Sequence, residues 1–242
     1  MGERACARYP GQGPGAAMAP APDRVCPMLP SPANFTPQVG TVLQALSIVG
    51  IFVFAASGAL AAARLRQTLV TFIFFALVTG VGGGTVRDLL IDAPVFWVHD
   101  AAPAITCMAA ALLVWITPRS LWSDRALDWL DAIGLTAFAV FGAAKAMSFG
   151  VPPFVAGMMG VVTGCVGGIM RDLLAGEPSI LLRPELYVTA AAASSGSFVL
   201  LCWVGLDVPV AGVIAALLGF VLRALAIRRG LGLPVYKGIN RE

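Results

Sequence analysis

The chain has 242 residues, of which 58% are hydrophobic and only 12% charged, with a formal net charge of +3. Soluble domains carry about 25% charged residues, so a fold that turns a polar face of every helix to water is excluded. Residues 39–63, 67–86, 101–118, 146–170 and 186–206 contain no Asp, Glu, Lys or Arg, and a helix of about 20 apolar residues spans the roughly 30 Å hydrocarbon core of a bilayer. The composition predicts an all-α integral membrane protein.

In chain order, residues 1–37 hold eight prolines among Gly and Ala, a composition that neither packs nor spans, and are expected to form a disordered tail. The stretch lacks the apolar core and small-residue cleavage site of a secretory signal, and Met18 and Met28 offer alternative starts. Seven spanning helices are predicted at about 40–63, 68–91, 101–117, 128–147, 153–175, 186–205 and 208–227. Arg223, near the end of the last, is expected to snorkel to the interface, and a basic tail, 228–242, follows. Cys107, Cys165 and Cys202 fall inside apolar runs, where Cys acts as a small hydrophobe. Neither a disulfide framework nor a metal-ligand spacing is present. His99, the only histidine, is placed in a connecting loop, and without Cys or carboxylate partners it cannot build a zinc site.

The chain repeats itself. Sliding it by 84 positions aligns Gly50 with Gly134, Gly58 with Gly142, Gly80 with Gly164 and Pro94 with Pro178, giving 16 identities in 45 positions without a gap. Ten of these fall between 78 and 94, where VTGVGGGTVRDLLIDAP matches VTGCVGGIMRDLLAGEP. The predicted organisation is a first three-helix repeat at 40–117, a second at 128–205, and a seventh helix at 208–227. The fourth span carries Asp128 and Asp131 at its start and Lys145 at its end, and its alignment with the strongly apolar first span argues that it crosses. An odd number of helices per repeat inverts the second copy relative to the first, as in several transport folds.

Basic residues orient the bundle. Arg64, Arg66, Arg119, Arg125, Arg183, Arg228, Arg229, Lys237 and Arg241 collect on one side, and the positive-inside rule predicts a cytoplasmic C-terminus and an external N-terminus. Trp97, Trp115, Trp122, Trp129 and Trp203 fall near predicted helix ends, as an interfacial aromatic belt requires. The basic residues are thus a topology signal and not a nucleic-acid patch.

Two features of the repeat could carry chemistry. Gly80, Gly82, Gly83 and Gly84 lie in span 2, and Gly160, Gly164, Gly167 and Gly168 in span 5. An interior helical glycine costs about 1 kcal/mol relative to alanine, so such clusters need a reason. One is close helix packing through small-xxx-small spacing. The other, favoured because charges follow directly, is a broken helix whose freed backbone groups line a polar cavity. Those charges are Arg87 and Asp88 in one copy, Arg171 and Asp172 in the other. Ionisable residues at membrane depth cost about 2.5–3.5 kcal/mol and face a bundle interior or a water-filled path. Adjacent helical residues point about 100° apart, so each Arg is expected to pair across to another helix. Lys145, where span 1 has Ala61, is a third candidate, either as a path-lining charge or as a snorkelling helix end. The hydroxyls of Thr79 and Thr163 add possible oxygen ligands.

At these residues the chain resembles the trimeric intracellular cation channel (TRIC) family, in particular its bacterial and archaeal branch, also labelled a glycine-transporter domain. The GxGGG and GxxGG patterns, each followed by RDLL, carry the likeness, which covers about 40–230. It implies a homotrimer in the cell's inner membrane, partnered by lipid, each subunit having its own pore kinked at Gly80–Gly84 and Gly164–Gly168. It also implies passage of potassium and, less readily, sodium, as cargo without any resident cofactor or metal. The Lys-Glu-Val motif of animal members is absent, since Gly142, Ala143, Ala144, Lys145 and Ala146 stand there, and Gly82 is matched by Val166 in the second copy. The alternative is a carrier for a small amino acid such as glycine, using helix N-termini at the same site. An enzyme is not indicated, because no nucleophile with a base appears.

Overall fold

The computed structural model describes residues 37–118, 121–123, 125–178 and 186–232, with side chains from Ser47 onward. The tail expected at 1–37 lies outside these residues except for Pro37, which begins the first helix, and 233–242 of the basic tail also lies outside. Seven helices make up the described residues: α1 Pro37–Arg64, α2 Leu69–Leu90, α3 Ala101–Ile116, α4 Ala126–Ser148, α5 Pro153–Ala175, α6 Val188–Trp203 and α7 Val208–Arg229. Helix ends follow local chemistry. Thr68 and Asp100 cap α2 and α3 with side-chain oxygens, satisfying first-turn amides. Pro153 opens α5, where its missing N–H is harmless. Gly176 and Gly230 close α5 and α7 in the left-handed region at φ 67° and 62°.

Helices α1, α2, α4, α5 and α7 are long and apolar enough to cross a membrane. The third helix of each repeat, α3 and α6, has 16 residues, or about 24 Å at 1.5 Å per residue. The α6 helix is therefore shorter than the expected 186–205. Its first turn begins only after Tyr187, which turns into the core and is 1% exposed.

Four helices form the centre. α1 packs on α2 and α4, and α5 packs on α2 and α4, while α3 and α6 brace the outside of their own repeats and α7 lies on α4 and α6. Backbones meet closely at the α2–α5 crossing. A Cβ added to Gly167 would lie 2.7 Å from the Thr79 carbonyl oxygen, and one added to Gly83 would press still closer on the Thr163 carbonyl oxygen. Contacts repeat under the same 84-residue shift elsewhere, exchanging partners between the copies for Gly50 and Gly134 and staying within each copy for the others. Gly50 faces Phe138 and Gly134 faces Phe54; Gly58 faces Thr79 and Gly142 faces Thr163; Gly80 faces Ile51 and Gly164 faces Leu135. The rings of Phe54 and Phe138, themselves shift partners, lie 5.2 Å apart.

The packing explanation weighed for the glycines has direct geometric support at the crossing. Both α2 and α5 are helical from end to end through their glycines, with no division into half-helices. Here Gly83 and Gly167 remove side chains so that two backbones can touch, the small-residue packing mode of membrane helices.

Candidate functional site

Each end of the α2–α5 crossing carries a buried charge cluster. At the α2 C-terminus, Arg87 is 1% exposed and Asp88 0%. Arg87 Nε donates to Asp88 Oδ1 at 2.8 Å, and Lys145 Nζ, from α4, lies 2.8 Å from the same oxygen. Asp88 Oδ2 accepts from the Phe96 amide at 3.1 Å, so the carboxylate also pins the α2–α3 loop. That loop turns aromatic groups inward. Phe96 stands against Gly84, Trp97 Nε1 donates to Thr85 Oγ1 at 2.9 Å, and the Arg87 guanidinium lies 5.0 Å from the Phe141 ring centroid, a cation–π distance.

At the α5 C-terminus the cluster is built differently. Arg171 Nη1 donates to Asp131 Oδ1 at 2.6 Å and to Ser57 Oγ at 3.2 Å, while its Nε donates to Asp172 Oδ1 at 2.9 Å. Arg171 is 1% exposed and Asp131 0%. A small cavity of about 80 Å³, lined by Ala61, Arg64, Leu127, Asp128, Arg171, Asp172, Ala175 and Glu177, opens onto Arg171 and Asp172. The ion pairs at the α2 end join two cations to one carboxylate, and those at the α5 end join one cation to two carboxylates.

Several expectations change. Arg87 and Arg171 both bond the aspartate that follows them in sequence, because a long guanidinium side chain bends across the 100° between neighbouring positions. Arg171 alone also reaches acceptors on other helices, Ser57 of α1 and Asp131 of α4. Lys145 does not snorkel freely; it is 18% exposed in its side chain and held by Asp88. Arg223 is 0% exposed, its guanidinium 5.3 Å from the Tyr187 ring centroid, and does not reach for the interface. Thr79 and Thr163 are both buried at the crossing, with the Thr163 hydroxyl donating back to the Met159 carbonyl at 2.6 Å. Thr79 Oγ1 has no hydrogen-bond partner among the described residues. His99 is exposed in the α2–α3 loop, and no group of metal-ligating side chains occurs among the described residues.

Comparison with known proteins fits this architecture. The family described as "Glycine transporter" matches the chain twice, over residues 44–119 and 128–203. The UPF0126 inner membrane protein YadS of Escherichia coli K12 is 39% identical over 198 residues, covering 79% of this chain and 94% of its own. A UPF0126 membrane protein of Deinococcus radiodurans is 36% identical over 78% of this chain and 90% of its own. The structure of the TRIC trimeric intracellular cation channel orthologue from Rhodobacter sphaeroides superposes with a TM-score of 0.75 at 40% identity, covering 79% of this chain and all of that one. A prokaryotic TRIC channel in 0.5 M KCl superposes at 0.71 with 26% identity, over 80% of this chain and all of that one. The chain belongs to the prokaryotic TRIC family.

As a TRIC-family member it is an integral membrane protein of seven transmembrane helices. Within it, the doubled motif that identified the family also supplied Arg87, Asp88, Arg171 and Asp172. Asp131, Ser57, Phe96, Phe141, Tyr187 and Arg223 were not singled out as site residues. Asp131 and Arg223 did carry a signal, being ionisable residues within predicted spans. Phe96 and Tyr187 carried none, since both lie beyond the point where the repeat alignment stops, yet each stands over the last glycine of its copy, Gly84 or Gly168.

Proposed function

We propose that the protein is a potassium-preferring monovalent cation channel, a homotrimer in the inner membrane with one path per subunit along the α2–α5 crossing. The observation that carries this is the 40% identity and 0.75 TM-score over the whole length of the Rhodobacter sphaeroides TRIC cation channel orthologue. Supporting it are the two charge clusters at opposite ends of the crossing, both held inside the bundle, and the small cavity that meets Arg171 and Asp172. Fixed carboxylates in a narrow low-dielectric path attract cations far more strongly than in water, so Asp88, Asp131 and Asp172 favour cations over anions. Arg87, Lys145 and Arg171 set how much of that field is left uncompensated. Partner exchange under the 84-residue shift supports an inverted repeat with its pseudo-twofold axis through the crossing.

The family's other description, glycine transporter, motivates a carrier as the second possibility. A carrier of that kind holds a substrate carboxylate at half-helix N-termini, and the unbroken α2 and α5 offer none at the crossing. Recording from purified protein in planar bilayers under potassium and sodium gradients separates the two. Unitary current steps with a potassium-side reversal potential are expected from a trimer seen by native mass spectrometry. Saturable glycine counterflow without current steps would replace the channel by the carrier.

A further inference from the structure

The seventh helix lies beyond both stretches matched by the family, 44–119 and 128–203, yet it sends one charge into the core. Arg223 is 0% exposed although it sits within two turns of the α7 end, where a long side chain could reach the interface. A buried guanidinium is retained only where its charge is compensated. Its guanidinium carbon stands 5.3 Å from the Tyr187 ring centroid, and Tyr187 is itself 1% exposed.

Tyr187 leads on to the charge cluster. A Cβ on Gly168 would lie 2.5 Å from the Tyr187 hydroxyl oxygen and 3.1 Å from Asp131 Oδ1, so the hydroxyl and the carboxylate share the space that a glycine leaves open. Asp131 Oδ1 is the 2.6 Å acceptor of Arg171 Nη1. The Tyr187 hydroxyl and Asp131 Oδ2 are both buried without a hydrogen-bond partner among the described residues. A small rotation of either group therefore lets the hydroxyl donate to the carboxylate. The opposite end of the crossing has no such line. There Phe96, which carries no hydroxyl, occupies the place over Gly84.

We propose that Arg223 is a positioning residue for the cation path: it holds Tyr187, which holds Asp131 against Arg171, so that α7 sets the fixed charge at the α5 end. This rests on the channel function proposed above. The residues form one line across four helices, from α7 to the head of α6, to α4, to α5.

The test uses the full-length trimer and reads the cation-over-anion permeability ratio from reversal potentials in a KCl gradient, beside melting temperature and trimer yield. Arg223→Met, which removes the cation–π contact, and Tyr187→Phe, which removes only the hydroxyl, are each expected to shift the ratio by about three- to tenfold, the range of one cation–π contact or one hydrogen bond, in the direction that Asp131→Asn shifts it. Arg223→Lys, which keeps a cation over the ring, restores the parent value, and Arg223→Met adds nothing in an Asp131→Asn background. Where Arg223→Met fails to assemble, Tyr187→Phe and Arg223→Lys keep nearly native volume and decide the matter. Parent-like ratios in assembled Tyr187→Phe and Arg223→Met, with an altered ratio in Asp131→Asn, overturn the positioning role and leave the channel path in place. A parent-like ratio in Asp131→Asn as well removes the path from this end of the crossing, and the positioning role falls with it.

Discussion

Replacing glycine by alanine at the crossing separates packing from every other role, because α5 carries its own control. A Cβ at Gly167 would stand 2.7 Å from the Thr79 carbonyl oxygen, about 0.7 Å short of the 3.4 Å at which ordinary contact begins. A Cβ at Gly157, ten residues earlier on the same helix, meets only Val199 at 4.0 Å. Both changes gain about 1 kcal/mol of helix propensity. At Gly167 the gain is opposed by overpacking of about 1–3 kcal/mol, since the atom in the way is backbone and cannot swing aside. Gly167→Ala is therefore expected to lose up to about 2 kcal/mol, and Gly83→Ala more, its contact being the tighter of the two. At about 2–4 °C per kcal/mol for a chain of this size, purified protein should melt several degrees lower for Gly83→Ala and unchanged or higher for Gly157→Ala. Leucine at Gly83 or Gly167 should prevent assembly outright, so alanine is the informative substitution. Equal melting temperatures for Gly157→Ala, Gly167→Ala and Gly83→Ala would refute the crossing as described.

Two further outcomes can be checked independently. Lys145→Met leaves Asp88 with Arg87 and the Phe96 amide, so the fold should survive while the α2 end loses a positive charge, raising the cation-over-anion permeability ratio by about two- to fivefold. Asp88→Asn should instead cost about 3–5 kcal/mol, because it strands two cations in the bundle, and is read as lost yield on size-exclusion chromatography. The basic residues at the α1, α3, α5 and α7 ends predict a cytoplasmic C-terminus. A fusion of a periplasm-dependent reporter to the C-terminus should be silent, and an active one would invert the topology.

The parts of this fold that the sequence discloses are those that repeat or recur periodically. Uncharged runs located the helices to within a few residues, and the 84-residue shift picked out the glycines that meet at the crossing and the charges behind them. Partner choice was harder to see. Whether Arg87 reaches Asp88 or another helix depends on a side-chain torsion that no spacing encodes, and the role of Gly83 depends on a carbonyl 80 residues away in sequence. The packing and broken-helix explanations predict the same glycines, and the close approach of Gly83 to Thr163 is a packing contact that no spacing encodes.

The repeat does contain one signal that similarity conceals, and it lies where the copies differ. At the positions where α4 has Asp131 and Lys145, the same 84-residue shift places Ser47 and Ala61 on α1. A structure built by duplication begins with matching ends, so an acidic residue gained at one end of α4 and a basic one at the other can only unbalance them. The partners bear this out: Asp131 joins Arg171 at 2.6 Å and Lys145 joins Asp88 at 2.8 Å, giving the α5 end its second carboxylate and the α2 end its second cation. Fourteen residues of helix separate the two, about 21 Å at 1.5 Å per residue. Identity between the copies therefore locates the crossing, while their disagreement on α4 gives one end a second carboxylate and the other a second cation.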